Sequence, residues 1–576
     1  MNRFLLLFLL FSLQLTAQIP QPKPAAKDPF FTQSQTPATD PGQKVKHIHS
    51  DRFGKDPAKY DGNIYFDGNV QFEHQGSYLN ADLVILYEAQ NFVRAIGNVK
   101  LKNPDGSVIT ANEMEYDGNT ERGIARKNVV LQDPAQTIRT ELLYYDRRAN
   151  QAYFNTGGTI TRQGSTMYTR SANYDIASRM IDFTGNVKIE NSDYIVDGTN
   201  IKQNQNTNTA EFFGPTTITS RTNPQNYVYT EQGRYLMNQK EVFLNKNSRI
   251  HYNDKILTGE TMYYNQITGF GRAEGNVLLR DPLQKRYLVG DYGEIYEHKD
   301  SAMVRGNAYA VKILEKDSMY FSANKIITYQ RADSSFVKKS FLQAYNRSRF
   351  YKSNAQARAD SITFNETDGI LHLFTDPILW SGEKQVSGDK IEAYFDTQNE
   401  FIDSLKVINN AMAISKVDSL NLRDEFNQVK GKLMTVYYKD NEINLAKVIG
   451  NAEAITYADD ENTRSGETER IGVALSSCGI IEALFEGRQV QIISCNIGAR
   501  TDIYPMSKIS DEQRFLRDFN WNTKDRLRKW RDILVDTPEY EEIKYTSHNP
   551  LYEAAQAEVE KARAAQEAAN PKRTRR

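Results

Sequence analysis

The sequence predicts an all-β protein built from stacked repeat units over residues 60–500. A Gly-Asn pair followed by Val or Ala recurs along the chain. After each pair, apolar residues alternate with mostly polar ones, the period of a half-buried strand. Helical periodicity is almost absent before residue 508. Short strands cannot bury their apolar face alone, so neighbouring units must stack around one continuous, solenoid-like interior.

The Gly-Asn motif predicts a tight turn or bulge that begins a strand, because Gly and Asn both tolerate positive φ. It occurs at Gly68-Asn69-Val70, Gly97-Asn98-Val99, Gly185-Asn186-Val187 and Gly275-Asn276-Val277, with the variants Lys127-Asn128-Val129, Gly306-Asn307-Ala308 and Gly450-Asn451-Ala452. The apolar pairs that follow it are Val70/Phe72, Val99/Leu101, Val129/Leu131, Val187/Ile189 and Val277/Leu279.

A second element precedes each motif. It has Ala or Gly, usually followed by an acidic residue or Asn, and apolar residues three and five places later. Examples are Ala81 with Val84/Leu86, Ala111 with Met114/Tyr116 and Gly259 with Met262/Tyr264. The small residue lies 16 positions before the motif in four cases, namely Ala81 to Gly97, Ala111 to Lys127, Gly259 to Gly275 and Gly290 to Gly306. The equal offsets define a unit of about thirty residues with two strands.

Composition restricts the class of protein. Of 576 residues, 39% are hydrophobic and 25% charged, which excludes a disordered chain and one that crosses a membrane many times. The formal net charge of −1 provides no basic field for nucleic acid. The 33 Tyr and 27 Phe suit half-buried strands.

The N-terminus predicts export. Arg3 precedes an apolar run over residues 4–13, and Ala17 is a small residue suited to cleavage, so residues 1–17 are interpreted as a signal peptide. The run is shorter than the ~20 residues of a membrane-spanning helix. A buried N-terminal helix is the alternative, which Pro20 and the prolines after it disfavour. Residues 18–55 are interpreted as a Pro-rich leader.

Gly-Asn-Val with alternating apolar residues, coupled to an Ala-Asp/Glu strand that ends in Tyr and preceded by a signal peptide, resembles the OstA-like, LptA-type lipopolysaccharide-transport family. The resemblance covers about residues 60–460. It implies a V-shaped, stacked β-jellyroll whose dry interior carries acyl chains across the periplasm to the outer membrane. The chain is long enough for two or three copies of the short bridge domain of that family, and the jellyroll repeats are assigned to residues 56–260 and 261–470.

The resemblance also implies partners and a location. The expected partners are lipopolysaccharide, through its lipid A, and the other jellyroll components at the inner-membrane and outer-membrane ends of the bridge. Edge-to-edge self-association is a further expectation. The exported protein is expected in the periplasm, associated with the outer membrane, without enzymatic activity and without a cofactor.

An inward apolar row is predicted to line the lipid groove. Its members are Val70, Phe72, Val84, Leu86, Val99, Leu101, Met114, Val129, Leu131, Val187, Ile189, Met262, Val277 and Leu279. At ~0.8 kcal/mol per buried methylene, shielding six methylenes of one chain is worth ~5 kcal/mol. The alternative for each position is ordinary core packing.

Two other functions stay open. One is a structural or adhesive β-solenoid with a closed interior, and the other is a polysaccharide-acting β-helix. No catalytic or metal-binding residue is proposed: His47 and His49 are close in sequence but have no further ligand at metal spacing. The Gly-rich stretch 269–275 lacks the spacing of a phosphate loop and leads into a strand, so it is interpreted as a repeat turn.

Residues 471–505 are predicted to form a capping β-hairpin module. A two-residue turn at Glu486-Gly487 would place Cys478 opposite Cys495 at a non-hydrogen-bonded pair, whose Cα atoms lie ~4.5 Å apart. In an oxidising compartment this predicts a disulfide. Two unpaired buried thiols are the alternative, because a longer turn would change the register.

Residues 506–576 are predicted to be a helical and basic tail. Ser510 to Gln513 resembles a capping box that opens a short helix through Phe519. Trp521 and Trp530 would dock on the chain's own sheet or on a partner. A second helix is expected over residues 554–569, and the basic run 572–576 is interpreted as a solvated tail or a contact with anionic lipid.

Overall fold

The structure is a computed structural model that describes residues 44–252, 255–397, 401–417, 425–440, 442–461, 468–486, 489–535 and 561. The described chain is almost entirely antiparallel β-structure, which confirms the all-β prediction of stacked repeat units. Its described residues form two compact units, one within residues 44–163 and 170–177 and one within residues 164–169 and 178–535. In the described ranges there is no helix of the length and apolarity that a membrane crossing requires.

The strands follow one another with short connections. In chain order they are β1 (Lys46–His49), β2 (Arg52–Lys55), β3 (Ile64–His74), β4 (Ser77–Tyr87), β5 (Phe92–Lys102), β6 (Val108–Asp117), β7 (Arg122–Gln132), β8 (Thr137–Asp146), β9 (Gln151–Phe154), β10 (Gly158–Arg162), β11 (Ser165–Thr169), β12 (Ser171–Asp175), β13 (Met180–Glu190), β14 (Tyr194–Asn204), β15 (Thr209–Ser220), β16 (Tyr227–Leu236), β17 (Glu241–Lys246), β18 (Ser248–Tyr252), β19 (Lys255–Gly259), β20 (Thr261–Asn265), β21 (Phe270–Asp281), β22 (Arg286–Tyr296), β23 (Ser301–Arg305), β24 (Tyr309–Ile313), β25 (Ser318–Ser322), β26 (Lys325–Ala332), β27 (Lys338–Lys352), β28 (Ala355–Asn365), β29 (Ile370–Phe374), β30 (Ile378–Ser381), β31 (Lys384–Ser387), β32 (Lys390–Phe395), β33 (Ile402–Lys416), β34 (Phe426–Lys439), β35 (Glu442–Glu461), β36 (Thr468–Glu486), β37 (Gln489–Asn496) and β38 (Arg500–Pro505).

Apart from Lys561, which is α-helical, short 3-10 turns make up the rest of the regular structure in the described ranges. They are Tyr60–Gly62, Glu88–Gln90, Glu297–Lys299, Glu512–Arg514 and Trp530–Leu534. The last part of the predicted leader is ordered as strands, because β1 and β2 both pair with β3.

Six of the seven Gly-Asn motifs and their variants lie in the middle of strands and do not begin them, whereas Gly306-Asn307-Ala308 lies between β23 and β24. In β5, Gly97 and Asn98 have φ of 78° and 43°, and the pairing with β6 shifts between Ile96 and Val99. Two consecutive left-handed residues form a β-bulge, which bends a strand without ending it. The bulge is confirmed at these motifs, where the prediction that a strand begins was wrong; at Gly306-Asn307-Ala308 that prediction is confirmed, because β24 begins at Tyr309.

The bends divide each unit into two half-sheets. In the first unit, residues 70–74, 77–81 and 99–102 pair in half-sheet A, and residues 64–67, 83–87 and 92–96 pair in half-sheet B. The second unit repeats this arrangement, for example with β24 in half-sheet A and β23 in half-sheet B. The apolar faces of A and B enclose the interior of each unit.

The outer face of half-sheet A in the second unit is covered by residues 506–535, here called the strap. Trp530 packs on Tyr320 with ring centroids 5.1 Å apart, and Trp521 packs on Phe426 at 5.2 Å. The prediction that both tryptophans dock on the chain's own sheet is therefore confirmed.

The predicted helix through Phe519 is not formed. Gln513 N–H donates to Ser510 Oγ at 3.4 Å, so the capping contact exists, but it closes only a 3-10 turn. The next residues extend along the sheet, where Leu516 N–H donates to Gln428 Oε1 at 2.8 Å. The signal peptide, the basic run and all of the 554–569 helix except Lys561 lie outside the described residues.

The disulfide between Cys478 and Cys495 is confirmed, with Cα atoms 5.9 Å apart. The predicted register was wrong: Cys495 lies opposite Ile481, and Cys478 pairs with Ala452 of β35. The turn places Glu486 opposite Gln489, and a further shift between Leu484 and Phe485 displaces the strands. The side chains reach each other diagonally at the end of the β36–β37 pairing.

Candidate functional site

The predicted inward row is placed in the interiors of the two units. Its members from Val70 to Leu131 lie in the first unit and those from Val187 to Leu279 in the second. Every member is buried except Leu86, which is half-buried. The neighbour of Leu101 on the opposite face, Lys100, is exposed. Burial agrees with both core packing and a lipid groove, so the row remains a prediction.

A cavity of about 20 Å³ lies inside the first unit. Phe72 and Leu101 line it from half-sheet A, and Val93 and Met114 from half-sheet B. This volume holds about one water molecule. The half-sheets of the first unit are therefore in close contact.

A larger cavity of about 90 Å³ lies inside the second unit. Leu279 and Leu288 of half-sheet A and Ile295 of half-sheet B belong to its apolar lining. Arg286 and Glu297 add charged groups to the same cavity. The site thus combines an apolar floor with ionised side chains at the strand ends.

The strand ends of A and B meet along one side of each interior, here called the mouth. In the first unit, His74 Nδ1 and Tyr116 Oη form a 2.9 Å hydrogen bond across the mouth. Arg147 Nη2 donates to the Gln75 carbonyl oxygen at 2.7 Å. Burial raises the pKa of Tyr116, so its hydroxyl stays protonated.

The mouth of the second unit has a carboxylate that accepts two tyrosine hydroxyls. Tyr252 of half-sheet A and Tyr264 of half-sheet B both donate to Glu297. Burial and the Glu297 carboxylate raise the pKa of Tyr264. This group fastens A to B beside the cavity.

An ion cluster lies at the same mouth. Arg286 Nη1 lies 2.6 Å from Glu366 Oε1, and Lys312 Nζ lies 3.0 Å from Glu366 Oε2. Arg286 and Lys312 belong to half-sheet A, and Glu366 follows β28 in half-sheet B. The Arg286 and Glu366 side chains are only 6% and 3% exposed. We call these three residues the ionic latch.

The ionic latch holds Glu366 ionised. Burial alone would raise the pKa of this carboxyl, but attraction to Arg286 and Lys312 outweighs burial and places it below its usual value. Asp281 Oδ2 lies 3.4 Å from Arg286 Nη2, so two cations face two carboxylates. The cluster is neutral overall.

Sequence reasoning missed the ionic latch. Arg286 and Glu366 are 80 positions apart, beyond any repeat offset. The only sequence signal for these residues was a charged side chain at the end of a strand, and many solvent-exposed turns have the same feature.

Neither His47 nor the Gly-rich stretch contributes to a site. His47 stacks on Phe66 with centroids 4.3 Å apart. Of the Gly-rich stretch, only Gly269 belongs to a turn; residues 270–275 lie within β21, where Gly275 forms a bulge, so the repeat-turn interpretation was wrong for them. Among the described residues, no three His, Cys, Asp or Glu side chains are grouped to hold a metal ion.

Comparisons with known proteins match two regions of the chain. A family model described as OstA-like protein matches residues 42–199, and one described as LptA/(LptD N-terminal domain) LPS transport protein matches residues 288–399. A search of curated proteins finds no match.

A solved structure is titled as LptH, the LptA homologous periplasmic component of the conserved lipopolysaccharide transport device from Pseudomonas aeruginosa. Its sequence is 13% identical to this chain, and the match extends over 26% of this chain and 93% of the LptH chain, with a TM-score of 0.20. The two family models confirm the resemblance for the regions that they match: residues 42–199 are similar to OstA-like proteins, and residues 288–399 are similar to LptA/(LptD N-terminal domain) LPS transport proteins.

Proposed function

We propose that this protein is a non-enzymatic periplasmic carrier that shields lipopolysaccharide acyl chains between half-sheets A and B and helps move them to the outer membrane. The two family-model matches, at residues 42–199 and 288–399, support the transport role. The single observation that carries the acyl-chain site is the buried apolar row, which continues from strand to strand inside each unit.

Loading requires the half-sheets to separate at the mouth. Cavities of about 20 and 90 Å³ cannot hold an acyl chain. Each hydrogen bond that opens costs about 1 kcal/mol net, whereas each shielded methylene gains ~0.8 kcal/mol. A chain of six or more methylenes therefore offsets the opening of several mouth contacts.

The C-terminal end of the second unit offers a surface for another jellyroll module. In the described pairings β38 pairs only with β36, so one edge of its backbone can accept a further strand. Ile492 and Ile503 are exposed on β37 and β38. We include edge-to-edge contact with other bridge components, or with a second copy, in the proposal.

Native mass spectrometry of residues 18–576 tests the acyl-chain site. The chain is titrated with lipopolysaccharide and with its delipidated polysaccharide. We expect stoichiometric adducts that require the acyl chains. Val99→Asp, in the interior, should abolish them, and Lys100→Asp, on the exposed face of the same strand, should retain them.

Other outcomes favour the other functions. A folded chain without lipid adducts would favour a structural solenoid with a closed interior. Adducts with the delipidated polysaccharide would favour a polysaccharide-binding protein. Circular dichroism of Val99→Asp separates lost binding from unfolding.

A further inference from the structure

The ionic latch lies beside the larger cavity, and its two cations already hold an anion. Each Glu366 oxygen takes one cation, Arg286 at 2.6 Å and Lys312 at 3.0 Å. Arg286 also lines the cavity whose floor is apolar. An anion-binding pair therefore borders an apolar space, the combination that an anionic lipid requires.

Arg286 has unused hydrogen-bonding capacity. Its Nε is buried and has no acceptor in the described structure, although Nη1 and Nη2 face Glu366 and Asp281. A guanidinium binds an anion best through a pair of parallel N–H bonds. In the place of Glu366, a ligand with three acceptor oxygens offers Arg286 more acceptors than the single Glu366 oxygen that now meets Nη1.

The other described mouth contacts lack this property. Arg147 of the first unit donates across the mouth to the carbonyl oxygen and side-chain oxygen of Gln75, which are neutral. Glu297 of the second unit accepts hydroxyls from Tyr252 and Tyr264. At the ionic latch, by contrast, a carboxylate of one half-sheet occupies a cation pair of the other.

We propose that Glu366 is an internal substitute for the anionic head group of the carried lipid. A phosphate monoester on the sugar displaces the Glu366 carboxylate from Arg286 and Lys312, which releases half-sheet B from half-sheet A where the acyl chain enters. The exchange replaces one anion with another and leaves Asp281 on Arg286, so the site keeps a balancing anion throughout. This inference rests on the proposed function, because it assigns the head-group site of the same interior.

The test compares three probes on the chain of residues 18–576: bisphosphorylated lipid A, the same lipid after removal of both phosphates, and inorganic phosphate. Binding is followed by native mass spectrometry and by titration. We expect the wild-type chain to prefer the phosphorylated lipid by about tenfold, the effect of one charge-assisted contact. Inorganic phosphate should bind far more weakly than either lipid, since it has no apolar part.

Two substitutions separate the cation pair from the latch. Lys312→Gln should remove the preference for the phosphorylated lipid without weakening binding of the dephosphorylated lipid, because it removes a phosphate contact and also loosens the ionic latch; the Lys312 side chain is 21% exposed, which favours a folded variant. Glu366→Gln should raise affinity for the phosphorylated lipid by about tenfold, because the cations no longer have a competing carboxylate.

Glu392→Gln is the matched control. Glu392 is a buried carboxylate of the same unit. It accepts hydrogen bonds from Lys390 Nζ and Tyr394 Oη, and both residues lie on its own strand, β32. Its substitution should leave the phosphate preference unchanged.

The possible failures are distinguishable. If neither lipid binds the wild-type chain, the proposed function fails. If both lipids bind equally and Lys312→Gln weakens both alike, the carrier function stands and the head-group site is overturned. Inorganic phosphate that binds as tightly as the lipid would assign the cations to free phosphate and also overturn the inference.

Discussion

Asn98 Nδ2 donates to Asp82 Oδ2 at 2.9 Å across the bulge of β5, and these residues lie 16 positions apart. Asn307 donates to Asp291 at 2.9 Å with the same separation. The acidic residue after the small residue of one strand therefore fastens the bulge of the next strand. This contact is the physical origin of the 16-residue offset in the sequence.

Asn98→Ala should lower the free energy of unfolding by about 1–2 kcal/mol, because it removes a hydrogen bond and places Ala at a φ of 43°. Asn98→Gly removes only the hydrogen bond and should cost less. Urea denaturation measures both. If both variants lower the free energy of unfolding equally, the left-handed backbone conformation at position 98 adds nothing to the cost of Asn98→Ala.

Met114→Ala should enlarge the small cavity of the first unit and lower the free energy of unfolding by about 2–4 kcal/mol, since Met114 is 2% exposed and lines that cavity. Thermal unfolding monitored by circular dichroism provides the check. A change below about 1 kcal/mol would mean that the half-sheets close over the deleted atoms.

Gln385→Ala should release part of the strap. The Gln385 amide donates to the Asn520 carbonyl oxygen at 2.6 Å and accepts from Asn522 N–H at 2.8 Å. It thus makes the two backbone hydrogen bonds that a neighbouring β-strand would make with the strap. The expected result is faster trypsin cleavage within residues 524–531. Gln343→Ala, on half-sheet B away from the strap, is the control that should leave the cleavage rate unchanged.

Reduction of the Cys478–Cys495 bond should destabilise the terminal hairpin by about 3 kcal/mol, the loop-closure estimate for a separation of 17 residues. Hydrogen exchange of β37 amides with and without reductant measures this. The double variant Cys478→Ser/Cys495→Ser should exchange quickly in both conditions. Slow exchange after reduction would place the stability of the hairpin in its strand pairing.

The ionic latch should lose its stabilising effect in acid. The folded-state pKa of Glu366 lies below the value of 4.5 of a free glutamate, so the carboxylate stabilises the folded state fully above pH 4.5. Its contribution decreases as pH falls below 4.5 and through the folded-state pKa. The groups facing it are Arg286 and Lys312, with Asp281 on the far side of Arg286.

The difference in unfolding free energy between the wild-type chain and Glu366→Gln measures this effect. It should be about 2–3 kcal/mol at pH 7 and shrink toward pH 3. Residual pairing of Arg286 with Asp281 keeps it below the cost of a fully isolated buried charge. A difference that stays constant between pH 7 and pH 3 would contradict an ionised Glu366.

The sequence predicts the repeat and its strands because each rests on neighbours close along the chain. Gly97-Asn98 identifies its bulge since Gly and Asn favour positive φ. The bulge at Asn346-Arg347 and the connection between β29 and β30 at Thr375-Asp376 have no Gly, and the tertiary pairing imposes positive φ on Arg347 and Thr375, which do not favour it. No local pattern marks those positions.

The sequence pattern could not predict which residues of distant segments come into contact. The disulfide register depends on a one-residue shift between Leu484 and Phe485, which alternation cannot predict. Arg286 and Glu366 meet only because two half-sheets close on each other. The sequence could therefore predict the burial of the apolar row, apart from Leu86, but not the polar contacts along the mouth.

Photo-crosslinking inside the cell tests the central claim most directly. A photoreactive residue replaces Leu101 or Leu279 in the interior, and Lys100 or Arg280 on the exposed face, in otherwise unchanged full-length protein. If acyl chains travel between the half-sheets, lipopolysaccharide adducts form at Leu101 and Leu279 and not at their neighbours. Equal adducts at all four positions, or adducts only at Lys100 and Arg280, would contradict transport through the interior.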